Sequence, residues 1–357
     1  MKRKISILIC LVIFLISHVQ GQNDDTGSQK KEPDQSYTSF RLFENEDLLE
    51  ITLRFDLSTY FRTKPKNEYL KANITFHLSE TDSISKDIRL RTRGIFRNQF
   101  CRYPPIQLNF KKVDFGYSDL DSISKLKLVT ECFSGSENAG YLLREYLIYK
   151  MFNVFTDTCF RVRLLTVNYI DSKNKRKPLK QYGFFIEPME MLTARTNSVE
   201  VKSPALTQKN IIPNIMDRLA IFNYMIGNYD WSIPGRHNVK VIKTMVINPT
   251  GLGIAVPYDF DWTGLVNASY AIPPVKVGIE SVRERIYTGI CRSREVFQKD
   301  LEIFAEKKDE FYKIVNEFPY LNKNEKRDVT GYLDVFFNRL SGRPLLTDIF
   351  LNSCKNF

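Results

Sequence analysis

Histidine and tryptophan are scarce in this chain, with three and two among 357 residues. None of the six cysteines stands in a CxxC pair. These shortages argue against a zinc site built from the usual histidine and paired-cysteine ligands. They argue equally against Ser/His/Asp catalysis, since no strand-turn-helix nucleophile elbow accompanies the few histidines. The formal charge is +11, yet no basic helix, RNP-like strand or zinc-finger spacing is present, so nucleic acid is not implied. A moderate positive balance suits phosphate-bearing ligands or an anionic envelope surface.

The first residues set an expectation about compartment. Lys2, Arg3 and Lys4 precede an apolar run from Ile5 to Ile16 and small or polar residues from Ser17 to Gly21, the order of a secretory signal peptide. Cleavage is expected near Gly21 and Gln22, where no cysteine stands to make a lipoprotein. The expected organisation is a signal peptide over 1–21, a disordered linker over 22–39, a β-rich lobe over 40–188 and a helical lobe over 189–357. Loss of three bases with the signal lowers the charge to about +8. The protein is expected to be secreted or periplasmic, without a stable membrane span once the signal is cleaved. Cys101, Cys132, Cys159, Cys291 and Cys354 remain, an odd number that permits one or two disulfides, with most of them expected buried and unpaired.

Hydrophobic alternation divides the body. Leu49 to Phe55, Ala72 to Leu78 and Ile106 to Phe110 alternate with period two and read as antiparallel strands, with a further strand at Lys125 to Val129. Asn138 is expected to cap a helix over about Gly140 to Phe152, with Leu143, Leu147 and Met151 on one face. Strands are expected again from Phe160 to Tyr169 and from Tyr182 to Ile186. Ile215, Leu219, Phe222 and Ile226 lie at helical spacing, and Gly227 stands where that helix would end. Val239 to Val246 and Gly253 to Val256 read as a hairpin, and the chain is mostly helical from Ser281 onward.

The chemistry concentrates around that hairpin. Gly227-Asn228-Tyr229-Asp230, then Asn238, then Tyr258-Asp259-Phe260-Asp261 place carboxylates and carboxamides at turns beside strands. Hard divalent cations take oxygen ligands, and magnesium takes one or two carboxylates together with water and phosphate oxygens. Asp259 and Asp261 would share a face if the strand stayed regular. His237 reads as a polar loop residue, and Arg283, Arg285 and Arg292 as cover for a helix surface.

The order Gly-Asn-x-Asp, an Asn eight residues on, a hairpin and Tyr-Asp-x-Asp resembles the active-site region of the atypical kinases related to spore coat protein H, and more distantly HipA-like kinases. Arg91-Thr92-Arg93-Gly94, the strand from Ile106 to Phe110 and the Leu-rich strand from Lys125 to Val129 fit the same order, so the resemblance covers about Ile88 to Gly264. It implies an α+β, bilobal protein-kinase-like fold with a β-rich N-terminal lobe and a mostly helical C-terminal lobe. It also implies ATP with Mg2+ or Mn2+ as cofactors and transfer of phosphate to an acceptor that the residues leave open, a secreted or envelope protein being one candidate. Asp230 would be catalytic, and Asn238, Asp259 and Asp261 would hold metal. Glu145 would pair with a nucleotide-contacting base, and Glu187 would lie at an adenine-binding hinge. The family's lysines are replaced near Arg102 to Lys111, so Arg93, Arg102 and Lys111 are the candidates for the phosphate grip; an arginine fork and a lysine point charge are not equivalent there.

Two other classes stay open on the residues alone. Asp259-Phe260-Asp261 also matches the metal-binding Asp-x-Asp of nucleotide-sugar glycosyltransferases, although no βα nucleotide-binding alternation precedes it. The altered basic partner fits a secreted binding module without turnover.

Overall fold

The computed structural model describes residues 39–244 and 251–355. The expected signal peptide and nearly all of the expected linker lie outside the described residues. Seven strands form the first architectural unit: β1 (Leu49–Phe55), β2 (Leu70–His77), β3 (Ser83–Thr92), β4 (Ile106–Asn109), β5 (Lys125–Thr130), β6 (Val162–Asp171) and β7 (Leu179–Ile186). They close into a barrel in the order β1-β2-β3-β4-β5-β7-β6. Every pairing is antiparallel except the closing one, where β1 runs parallel to β6 with Leu49 opposite Leu165 and Phe55 opposite Asp171.

This closed barrel overturns the expected bilobal protein-kinase-like fold. Period-two alternation reports which face of a strand is buried, and β1 duly turns Leu49, Ile51, Leu53 and Phe55 inward. It carries no information on whether the two edges of a sheet meet. Here they do, through a pairing between strands far apart in sequence, and closure removes both edges. The barrel is filled by Phe76, Leu90, Leu108, Leu128, Val167 and Phe185 among others, so it is a packed core.

The outward faces of β5, β6 and β7 belong to a second apolar cluster. Val129, Val162, Leu164, Phe184 and Ile186 pack there with the helices that follow. Three short helices lie among the first strands: α1 (Leu57–Thr63), α2 (Phe96–Phe100) and α3 (Ser118–Asp121). The long α4 (Ser136–Asn153) crosses the outside of the barrel, contributing Leu143, Leu147, Ile148 and Met151. It begins earlier than expected, after Gly135, so Asn138 sits inside its first turn, where its side-chain oxygen accepts the Phe133 N–H at 3.3 Å.

Beyond the barrel come α5 (Met189–Arg195), β8 (Ser198–Glu200) and α6 (Pro213–Ile226). The hairpin β9 (Val239–Thr244) and β10 (Ile254–Pro257) pairs antiparallel, and β8 joins its free side to make a three-stranded sheet. The chain ends in α7 (Arg294–Glu306), α8 (Lys308–Asn316), α9 (Lys323–Phe337) and α10 (Leu346–Ser353). The arginines read as surface cover are instead clamps. Arg283 donates to Asp328 and the Gly264 carbonyl, Arg285 to the Met225 and Tyr332 carbonyls, and Arg292 to Asp217.

Two disulfides form, Cys101–Cys132 and Cys291–Cys354, and Cys159 is free and buried. The expectation that most cysteines stay unpaired is thereby corrected: spacing in sequence gave no sign that the turn after α2 meets the end of β5. Among the described residues no helix is long and apolar enough to cross a membrane.

Candidate functional site

The end of α6 starts the site. Gly227 closes that helix in the left-handed region at φ 68°, and a Cβ there would stand 2.1 Å from the Tyr332 hydroxyl, so both backbone and space call for glycine. Asn228 follows, its side-chain oxygen accepting the Asp230 N–H at 2.9 Å and its amide donating to Asn223. A tight turn then pairs Ser232 with His237 through two backbone hydrogen bonds and folds His237 and Asn238 back onto Asp230. Nε2 of His237 lies 2.9 Å from Oδ1 of Asp230. Asn238 donates from Nδ2 to the carbonyl of Asp230 at 2.8 Å and to its Oδ2 at 3.0 Å.

The hairpin brings in the other acids. The Tyr258 N–H donates to the Asn238 carbonyl at 2.9 Å, which sets Asp259 beside Asn238. The strand does not continue: β10 ends at Pro257, and Asp259 sits at φ 65°. Asp259 and Asp261 therefore do not share a strand face, yet both line the same cleft. Asn238 is also left-handed, at φ 53°. Strained backbone at two non-glycine residues of one cleft is the kind of cost that functional sites retain. The Asp259 N–H donates to the Tyr149 hydroxyl at 2.8 Å, tying this turn to α4 one helical turn beyond Glu145.

The cleft has a volume of about 470 Å³, and Arg93, Gly94, Phe96 and Arg97 face Asp230, Asn238, Asp259 and Asp261 across it. Of the residues chosen from sequence, Arg93, Asp230, Asn238, Asp259 and Asp261 are brought together, with Glu145 buried directly behind them. Arg102, Lys111 and Glu187 are not. Arg102 is exposed and lies over its neighbour Tyr103, and Lys111 is exposed after β4. Glu187 is buried outside the cleft lining, where it is engaged by Arg195 at 2.7 Å and by the Arg161 N–H.

The base facing Glu145 is Arg97, which the sequence reading missed. Its guanidinium lies 3.7 Å from Glu145 and 3.9 Å from Asp261 and donates to the Thr130 carbonyl. Its one visible sign was the Phe96-x-x-x-Phe100 spacing of α2, whose rings stack on each other while Phe96 meets Trp262. Lys127, whose amine lies 5.2 Å from the centre of the Tyr258 ring next to Asp259, was not singled out either. It points away from the barrel because its neighbours Leu126 and Leu128 point in, an alternation that was legible. Burial, with Arg93 adding to it, pushes its amine down to about 8.

Negative charge exceeds what these cations neutralise locally. Burial and the neighbouring Asp259 push Asp261 up to about 7. Burial, then Asp261, raises Glu145 far above the carboxylate range, and its Oε1 has no hydrogen-bond partner among the described residues. Asp230 is raised as well, by burial, against the opposing pull of His237. Such a set of desolvated oxygen donors fits a hard divalent cation. Among the described residues there is no cluster of three or more His, Cys, Asp or Glu side chains disposed to hold an ion alone. Asp259 and Asp261 with the Asn238 amide are thus the available protein ligands, and magnesium commonly completes its shell with water and phosphate.

No family model matches this chain, and no curated protein sequence matches it.

Proposed function

We propose that the cleft binds a nucleoside triphosphate together with magnesium or manganese and transfers phosphate to an acceptor hydroxyl. The observation that supports this most is the convergence of Asp230, Asn238, Asp259 and Asp261 on one cleft opposite Arg93 and the Gly94 turn. The reading rests on that site and not on any kinase architecture, since chemistry belongs to sites and recurs on unrelated folds.

Asp259, Asp261 and the side-chain oxygen Oδ1 of Asn238 would hold the ion. When bound it would neutralise triphosphate charge. Arg93 offers a fork matched to phosphate oxygens, and the left-handed Gly94, at φ 83°, lets the chain turn tightly beside it. Asp230 takes the proton of the attacking hydroxyl as its oxygen bonds to the γ-phosphorus and the bond to the departing diphosphate breaks. Asn238 and His237 fix the rotamer of Asp230 for that transfer. Arg97 holds Glu145 and Asp261 in place behind the reacting groups.

Export from the cytoplasm belongs to the same proposal. It is supported by the two disulfides and by the basic, apolar and small-residue order of residues 1–21.

Calorimetry with ATP and with UDP-sugars, each with and without Mn2+, tests the reading. ATP is expected to bind only with the ion, and Asp259→Ala to abolish that binding. Binding of UDP-sugars in place of ATP would move the site to glycosyl transfer. Binding of neither would leave a module without turnover.

A further inference from the structure

A second recess, of about 360 Å³, lies where the start of α4 meets the ends of β5 and β7. It shares no lining residue with the cleft above. Its polar walls come from Glu131, Gly135, Ser136, Thr166, Lys180 and Gln181.

Two of these walls are acceptors that lack what they need. Glu131 is only 4% exposed and Gln181 only 6%. The Glu131 carboxylate accepts the Tyr182 N–H at 2.9 Å and the Gln181 amide at 3.2 Å, but among the described residues no side-chain cation is paired with it. Burial accordingly pushes it up to about 7. The amide of Gln181 spends its nitrogen on Glu131, and its Oε1 is buried with no partner among the described residues. A buried acceptor without a donor is destabilising, and a buried carboxylate without a cation more so. Both are answered by one ammonium group.

The opposite wall has the other polarity. The 18-residue α4 starts after its N-cap Gly135 with no side-chain cap, so among the described residues no side chain is bonded to the N–H groups of its first turn. Gly135 lies at φ 119°, with open space where a Cβ would stand. Lys180, exposed on β7, adds a positive charge on the same rim, although it also reaches Glu50 at 3.1 Å. An uncapped helix start and a lysine favour a carboxylate. A phosphate would meet Glu131, and a simple cation would meet the helix start.

We propose that this recess binds a small zwitterion of the amino-acid type. The ammonium would sit between Glu131 and Gln181 Oε1, and the carboxylate against the first turn of α4.

The test is titration calorimetry on the folded chain with the twenty free amino acids. Each one that binds is then compared with its decarboxylated amine and its deaminated acid. At least one amino acid is expected to bind, with the amine and the acid at least tenfold weaker. Glu131→Gln is expected to weaken binding at least tenfold, while Asp259→Ala leaves it unchanged. Should Glu131→Gln fail to fold, Lys180→Glu at its exposed position takes its place, with weaker binding of the amino acid expected. Absence of binding by every amino acid would overturn the proposal. So would an amine or acid that binds as tightly as the zwitterion, or an affinity indifferent to the substituted side chain.

Discussion

His237 and Asp230 are joined ring nitrogen to carboxylate oxygen at 2.9 Å, while Asn238 holds the other carboxylate oxygen at 3.0 Å. Asp230 is thereby fixed at both oxygens by residues from its own turn. This is how a proton acceptor is kept in one rotamer, and it separates the group's role from nucleotide binding. Asp230→Asn keeps the shape and removes the proton acceptor. It is expected to leave Mn2+-dependent ATP affinity within about threefold and to lower transfer about a hundredfold or more, the scale of general-base catalysis. His237→Gln should lower transfer less, because it removes an orienting partner and leaves the carboxylate. Parallel calorimetry and a radiolabelled phosphate-transfer assay read the two effects separately. Equal loss of binding and transfer in Asp230→Asn would place Asp230 among the ligands instead.

Among the described residues Arg97 is the one cation paired with both Glu145 and Asp261, and its side chain is 11% exposed. Arg97→Met removes the cation that faces two desolvated acids and the donor to the Thr130 carbonyl. The expected loss is about 3–5 kcal/mol of unfolding free energy, the usual result of removing one partner of a buried pair. Adding Glu145→Gln to Arg97→Met should recover part of that loss, because one of the two crowded acids goes with it. Urea unfolding of the wild type, both single variants and the double variant measures the coupling. Additive losses would mean that the two side chains do not act as a pair.

How much of this was readable beforehand differs from element to element. Strands β6 and β7 and helix α6 fall close to where alternation and helical spacing put them, because local burial pattern is a local property. The closure of the barrel was not readable, since Leu49 meets Leu165 through a pairing that no nearby residue encodes. The acids of the cleft were found because they cluster around one hairpin in sequence. Arg97 was not, as it comes from a five-residue helix whose position depends on a disulfide and on the packing of Phe96. Glu187 looked like a hinge because a proline follows it, and only the fold reveals that Arg195 from the next helix already occupies it.

Cys101 directly follows α2 and Cys132 follows β5, so their disulfide fastens the helix that bears Arg97 to the strand end whose Thr130 carbonyl receives it. Cys291–Cys354 ties the segment before α7 to the residue after α10, far from the cleft in the chain. Loop-closure entropy assigns about 4 kcal/mol to each. Replacing either pair by serine should therefore lower stability to a similar degree. Only the Cys101→Ser/Cys132→Ser variant should also weaken Mn2+-dependent ATP binding, when both are compared below their unfolding transitions. Equal effects on binding would show that the loss is global.

A pH dependence of stability can be assigned to Asp300, which lies on α7 well away from the cleft's acids. It is buried, its Oδ2 has no hydrogen-bond partner among the described residues, and burial followed by the charge of Asp217 pushes it up to about 6. Arg218, Arg292 and Lys299 pull the other way without compensating, and Arg292 is engaged by Asp217 at 2.8 Å. The folded carboxyl thus holds its proton more tightly than the unfolded one. Its contribution is most favourable while both states are protonated and is lost as pH rises toward and through about 6. Asp300→Asn removes the titration and keeps the shape. At pH 8 the variant should be more stable than the wild type by about 1–3 kcal/mol, and the difference should shrink toward zero near pH 4. Urea unfolding at the two pH values measures it. A variant less stable than the wild type at pH 8 would mean that the charged carboxylate is needed by Arg218 or Arg292, and that burial does not dominate at this position.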